Sequence, residues 1–144
     1  YNIALDHLLK LVKSDPKQPD VLFSVCNVYS KKRFYTAAIE FCERTLDLTP
    51  QKIEPMNRLA WLYAKKRVKL KRGIELIQGV IKSHPKQAKY IDTFAELLFA
   101  NGDIVGAVKN IKEAISLQPD NSYYKQQELR FKRSSTQPLD VDDF

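Results

Sequence analysis

Apolar and small side chains recur along this chain at spacings of three and four, the period of helices that bury one face, and nowhere do they alternate over a long stretch as a strand would require. In residues 19–52 they form two stripes, Leu22, Val25, Cys26 and Tyr29, then Ala38, Cys42 and Thr45, closed by Pro50. Residues 53–87 repeat the layout with Met56, Leu59, Ala60, Tyr63, then Gly73, Ile77, Val80 and Pro85. Residues 88–121 repeat it again with Ile91, Phe94, Ala95, Leu98, then Ala107, Ile111, Ala114 and Pro119. A leading half-unit, residues 1–18, supplies Ala4, Leu8, Leu11 and Pro16. The four prolines are spaced by 34, 35 and 34 residues. Each unit therefore predicts two antiparallel helices that approach closely at their small residues, with a proline ending the second.

The residue types and the period resemble the tetratricopeptide repeat family, whose pattern is W-x2-L-G-x2-Y, then A-x3-F, then P. The likeness covers nearly all of residues 1–121. It departs from the pattern in having no glycine at the eighth position of any unit, where Cys26 stands once, and in Gly73 replacing the usual alanine. The resemblance implies an all-α, right-handed superhelical solenoid of antiparallel helix pairs spanning residues 1–133. It has three full units (19–52, 53–87, 88–121), preceded by the second helix of a truncated unit (1–18). Because such units stack and end units need a polar outer face, residues 122–133 are expected to form a capping helix, with Tyr124, Leu129 and Phe131 covering the preceding unit. Leu5, Leu8 and Leu9 would lose cover at the other end, so the native protein is expected to continue N-terminally. The acidic tail from 134 to 144 is expected to be mobile.

Local signals refine the turns. The second unit has one extra residue between Tyr63 and Gly73, assigned to its inter-helix turn. Gly102 in "FANGDI" suits a left-handed helix terminus, and Arg33 and Arg67 hold the same offset, where sharing that conformation would cost about 1 kcal/mol. Asp20 and Asn121 are candidate N-caps.

Charge adds a second feature. The chain carries 24 Lys and Arg against 17 Asp and Glu, three of the acids lying in the tail, so residues 1–133 have 24 minus 14, or +10. Much of it falls in the turns: Lys31, Lys32 and Arg33, then Lys65, Lys66, Arg67, Lys69, Lys71 and Arg72. Such an edge could meet RNA, an acidic protein or anionic lipid, or simply be solvated. Cys26 and Cys42 have neither a CxxC spacing nor a neighbouring histidine, so buried thiols are expected rather than a disulfide or a zinc site. No apolar run reaches the roughly 20 residues that cross a bilayer, which favours a soluble, cytoplasmic protein without membrane insertion.

No glycine-rich phosphate loop, HExxH or GxSxG is present, and His7 and His84 read as surface or capping residues, so no enzyme, metal or cofactor is expected. Function is expected on a surface, as a scaffold or adaptor for a protein or peptide. On the first helix of each unit a second line avoids the core stripe, and the resemblance implies that it faces a concave groove. The candidates are Phe23, Asn27 and Lys31; Asn57, Arg58, Trp61 and Lys65; Lys89, Asp92, Glu96 and Phe99; and Gln126. Phe23, Trp61 and Phe99 stand out as large aromatics at otherwise polar positions, the type that anchors interfaces, with packing against a neighbouring unit as the alternative. Repeats that clamp acidic chaperone tails place lysine and asparagine on this line in a set pattern. Here Asn27 and Lys89 match and Phe23, Arg58 and Thr93 do not, so that specificity is not expected. Self-association through the leading half-unit or the acidic tail is a further expectation.

Overall fold

In the computed structural model, which describes residues 2–136, each apolar stripe folds as a helix of 13 to 15 residues. The order is α1 (Asn2–Ser14), α2 (Pro19–Lys31), α3 (Tyr35–Leu48), α4 (Ile53–Lys66), α5 (Leu70–Ser83), α6 (Ala88–Ala100), α7 (Ile104–Leu117) and α8 (Ser122–Thr136). Consecutive helices pack on one another throughout, and α4 also packs on α6. The described residues form an all-α solenoid with no strand. Its core forms two clusters along the stack, Leu22, Val25, Ala38, Leu59, Ala60, Ile77, Val80 and Leu97 in one and Ile91, Ala95, Ala107, Ile111, Tyr124 and Phe131 in the other, with Ile81 packed against both. Ala38, Ala60, Ala95 and Ala107 are fully buried, which is why small residues recur among bulky ones. Gly73 takes that role in α5, where a Cβ would lie 2.7 Å from Leu97 Cδ2.

The turns are built alike. Arg33 (φ 63°), Arg67 (φ 57°) and Gly102 (φ 86°) all adopt the left-handed conformation. The residue after each donates its N–H five residues back, Phe34 to Tyr29 O, Val68 to Tyr63 O and Asp103 to Leu98 O, at 2.8–3.1 Å. This is the Schellman closure, and only Gly102 makes it without a side-chain penalty. The extra residue of the second unit is absorbed between Arg67 and Leu70, where Lys69 is itself left-handed (φ 48°) and precedes α5 without a side-chain capping bond. Its ammonium reaches back to Glu43 Oε1 on α3 at 3.1 Å.

Several expectations are corrected. Cys26 and Cys42 are joined as a disulfide between α2 and α3, with Cα atoms 5.5 Å apart and both residues fully buried. The two positions lie where the other units pack Ala60 with Ile77 and Ala95 with Ile111, so the fold itself brings the sulfurs together. Asp20 does not cap α2, which starts at Pro19; it pairs instead with Lys52 at 3.0 Å. Asn121 does cap α8, accepting from the Tyr123 N–H at 3.0 Å, and Asp103, not anticipated, caps α7 through the Gly106 N–H at 2.8 Å. Leu5 is covered, being only 8% exposed, while Leu129 is 60% exposed and Gln127 is buried in its stead. The capping helix extends to Thr136 rather than ending at 133. The remainder of the predicted tail, 137–144, lies outside the described residues.

Candidate functional site

Ion pairs join successive first helices side by side. Lys52, just before α4, meets Asp20 on α2; Lys89 on α6 meets Glu54 on α4 at 2.8 Å; Lys65 on α4 and Arg130 on α8 both reach Glu96 on α6. The candidate line therefore runs across α2, α4, α6 and α8 on one face.

At its α2–α4 end, Phe23 is half-buried against the core cluster. The side-chain oxygens of Asn27 on α2 and Asn57 on α4 are buried, and neither has a hydrogen-bond partner. Nearly all buried polar atoms in folded proteins are paired, so two orphans on one line are unusual. Trp61 is half-buried beside them on α4, with the Tyr35 ring edge-on at 6.0 Å. Two cations lie over its ring, the Arg58 guanidinium at 5.6 Å and the Lys65 ammonium at 5.4 Å. Arg58 makes no hydrogen bond or ion pair among the described residues, and burial lowers its pKa, partly offset by the charge of Glu54. An unpaired guanidinium, an indole and two unpaired amide oxygens thus stand together at this end of the line.

The α6–α8 end is different, because the groups there satisfy one another. Asp92 and Glu96 are 7% and 4% exposed, and Gln127 is buried between them, donating to Glu96 Oε1 at 2.5 Å and Asp92 Oδ1 at 3.4 Å. Burial pushes the Glu96 carboxyl up, but the hydrogen bond from Arg130 and the charge of Lys65 outweigh it and hold the group below its ordinary value. Asp92, with only the long bond from Gln127, is pushed up to about 6 by burial. Tyr123 is raised to about 12, by burial and then by the charges of Asp92 and Glu96. Phe99 is committed to packing: its ring lies 4.8 Å from Phe131 of the capping helix, with the Arg130 guanidinium 5.0 Å from its centre. Lys89 is held by Glu54, whose carboxyl its hydrogen bond lowers, and Gln126 is exposed. The structure thus separates an unsatisfied half of the line from a self-satisfied half. The buried layer of Asp92, Glu96 and Gln127, closed by the half-exposed Arg130, was not foreseen. Its signal in the sequence is two acids four apart on α6 opposite Gln127 and Arg130 on α8.

The basic residues fall at two successive turns of one edge. Arg33, Phe34, Tyr35, Thr36, Ala37 and Glu40 share an open recess of about 520 Å³ with Lys66, which shows the two turns adjacent. Some of the cations are engaged: Lys32 with Asn2 at 2.6 Å, Lys65 with Glu96, Lys69 with Glu43, and Arg72 with Glu75 at 4.0 Å. Arg33, Lys66, Arg67 and Lys71 are exposed and form no ion pair with the described residues. Among those residues there is no group of three His, Cys, Asp or Glu able to hold a metal, and no helix is long and apolar enough to cross a membrane.

No protein-family model and no curated protein sequence matches the chain. Solved structures do. MamA from Desulfovibrio magneticus superposes with a TM-score of 0.77 at 15% identity, over 91% of this chain and 73% of that one. A tetratricopeptide repeat protein from Parabacteroides merdae gives 0.80 at 13% identity, over 90% of this chain and 50% of that one. The first TPR of Spaghetti, bound to an HSP90 peptide, gives 0.69 at 18% identity, over 85% and 97%. At such identities the agreement speaks to the backbone alone, and with the helix order and turn geometry it shows that this chain has the tetratricopeptide-repeat fold.

Proposed function

We propose that the chain is a protein-interaction scaffold that holds a segment of a partner polypeptide along α2 and α4. The observation that carries this reading is the pair of buried, unpartnered side-chain oxygens of Asn27 and Asn57 next to the unpaired Arg58. The two amides turn outward to accept backbone N–H groups of the polypeptide, which brings a carbonyl or carboxylate to the guanidinium, with Phe23 and Trp61 as apolar walls. That the first TPR of Spaghetti, similar in fold, is bound to an HSP90 peptide supports a peptide as the kind of ligand. The specificity proposed here is not that of an acidic chaperone tail, since Lys89 is already held by Glu54 and Thr93 is buried, its hydroxyl donating to Lys89 O. No catalytic step is proposed.

Selection from a random peptide library against the purified chain tests the reading. Selected peptides should bind saturably and lose about ten-fold in affinity with Asn57→Ala and again with Arg58→Ala, each removing one hydrogen-bonding partner. Peptides indifferent to both substitutions would contradict it.

A further inference from the structure

The first helices run side by side in one direction, so the turns that follow α2, α4 and α6 share one edge of the solenoid, and its recess adjoins Trp61 through Tyr35. The first two turns expose an apolar side chain there, Phe34 at 54% and Val68 at 37%, and Val105 at the start of α7 is 82% exposed. Around Phe34 and Val68 stand four exposed cations, Arg33, Lys66, Arg67 and Lys71, which form no ion pair with the described residues. Nearby acids are mostly engaged, Glu43 by Lys69, Glu75 by Arg72 and Asp103 by the α7 amide it caps; Glu40 lines the recess. Arg33 and Arg67 further occupy left-handed positions for which the third turn uses Gly102, so neither arginine is there because the backbone prefers it.

We propose that this edge docks on an anionic membrane surface, the cations meeting lipid phosphates and carboxylates while Phe34, Val68 and Val105 enter the interface. Cations alone would suit any polyanion. The apolar row decides between partners, because valines offer nothing for a nucleobase to stack on, whereas aliphatic and aromatic tips amid basic residues match the layered chemistry of a lipid headgroup region. Phe34 is also already flanked, by the Lys32 ammonium at 5.4 Å from its centre and the Tyr29 ring at 6.3 Å. Docking of this kind is peripheral.

Co-sedimentation with vesicles tests the proposal, comparing phosphatidylcholine alone with a mixture rich in phosphatidylserine. The chain should pellet with the anionic vesicles only, and less so at high salt. The double substitution Arg33→Gly and Arg67→Gly removes two cations while relaxing two strained residues, so it cannot act by unfolding; it should weaken binding about thirty-fold. Phe34→Ala with Val105→Ser should weaken it at unchanged charge. Failure to pellet with anionic vesicles, or pelleting indifferent to both double substitutions, overturns the proposal. So does tight binding of a homopolymeric RNA or of polyglutamate through Arg33 and Arg67 when vesicles do not bind. None of these results bears on the groove, whose residues are unchanged.

Discussion

Glu96 on α6 and Gln127 on α8 are buried together, the amide nitrogen of one 2.5 Å from a carboxylate oxygen of the other. The capping helix therefore docks through a polar layer, with Phe131 and Tyr124 supplying apolar cover. A layer of this kind is stable only while complete, since Lys65, Gln127 and Arg130 all depend on the one carboxylate. Glu96→Leu should destabilise the chain by about 3 kcal/mol, and Glu96→Gln by less, in urea unfolding. Equal stability of Glu96→Leu and wild type would mean that α8 does not need this contact.

Burial pushes the carboxyl of Asp92 up to about 6 in the folded chain, from an ordinary value of 3.8. Because its folded value is raised, the folded state holds the proton more tightly than the unfolded state. Its contribution is most favourable below pH 4 and is lost as pH rises through 6, by about 3 kcal/mol in total. Glu96, whose folded value is lowered, acts in the opposite sense and favours folding above its ordinary value of 4.5. Asp92→Asn should accordingly be more stable than wild type at pH 7.5, with the difference vanishing near pH 4, as followed by urea unfolding at both pH values.

Two glycines of α5 should respond oppositely to the same change. Nothing lies within 4 Å of a Cβ added at Gly79, so Gly79→Ala should stabilise the helix by about 0.5–1 kcal/mol. A Cβ at Gly73 would meet the fully buried Leu97, and overpacking there should cancel or reverse that gain. Thermal melts of the two variants make the comparison.

The Cys26–Cys42 disulfide closes a loop of 16 residues, worth about 3 kcal/mol by restricting the unfolded chain. Thiol titration in denaturant without reductant should find no free cysteine, and reduction should lower the unfolding midpoint. Disulfides of this kind persist in oxidising compartments. Two reactive thiols in the freshly purified chain would contradict the bridge.

The sequence made the helices, their pairing and even the left-handed arginines legible, because each follows from local periodicity and from an offset shared with Gly102. The disulfide was hidden, since the partner of Cys26 is set by which positions touch across a helix pair and not by any spacing rule. Among the groove candidates, pattern alone could not separate Trp61, which retains exposed surface beside unpaired groups, from Phe99, which the capping helix engages. That distinction depends on α8, where Phe131 meets Phe99 and where Leu129, an apolar residue expected to face inward, points to solvent. The buried acids were equally opaque, because an aspartate on a polar line reads as exposed until the opposing glutamine is in place.

Trp61 is the only tryptophan of the chain and lies on the half of the line with unsatisfied groups, so its fluorescence reports directly on the central claim. Titration with a selected peptide should shift the emission saturably at one peptide per chain, and Arg58→Ala should move the curve to about ten-fold higher concentration. A peptide that binds by calorimetry yet leaves the Trp61 emission unchanged, with Arg58→Ala indistinguishable from wild type, would place the interaction elsewhere on the solenoid and contradict the account.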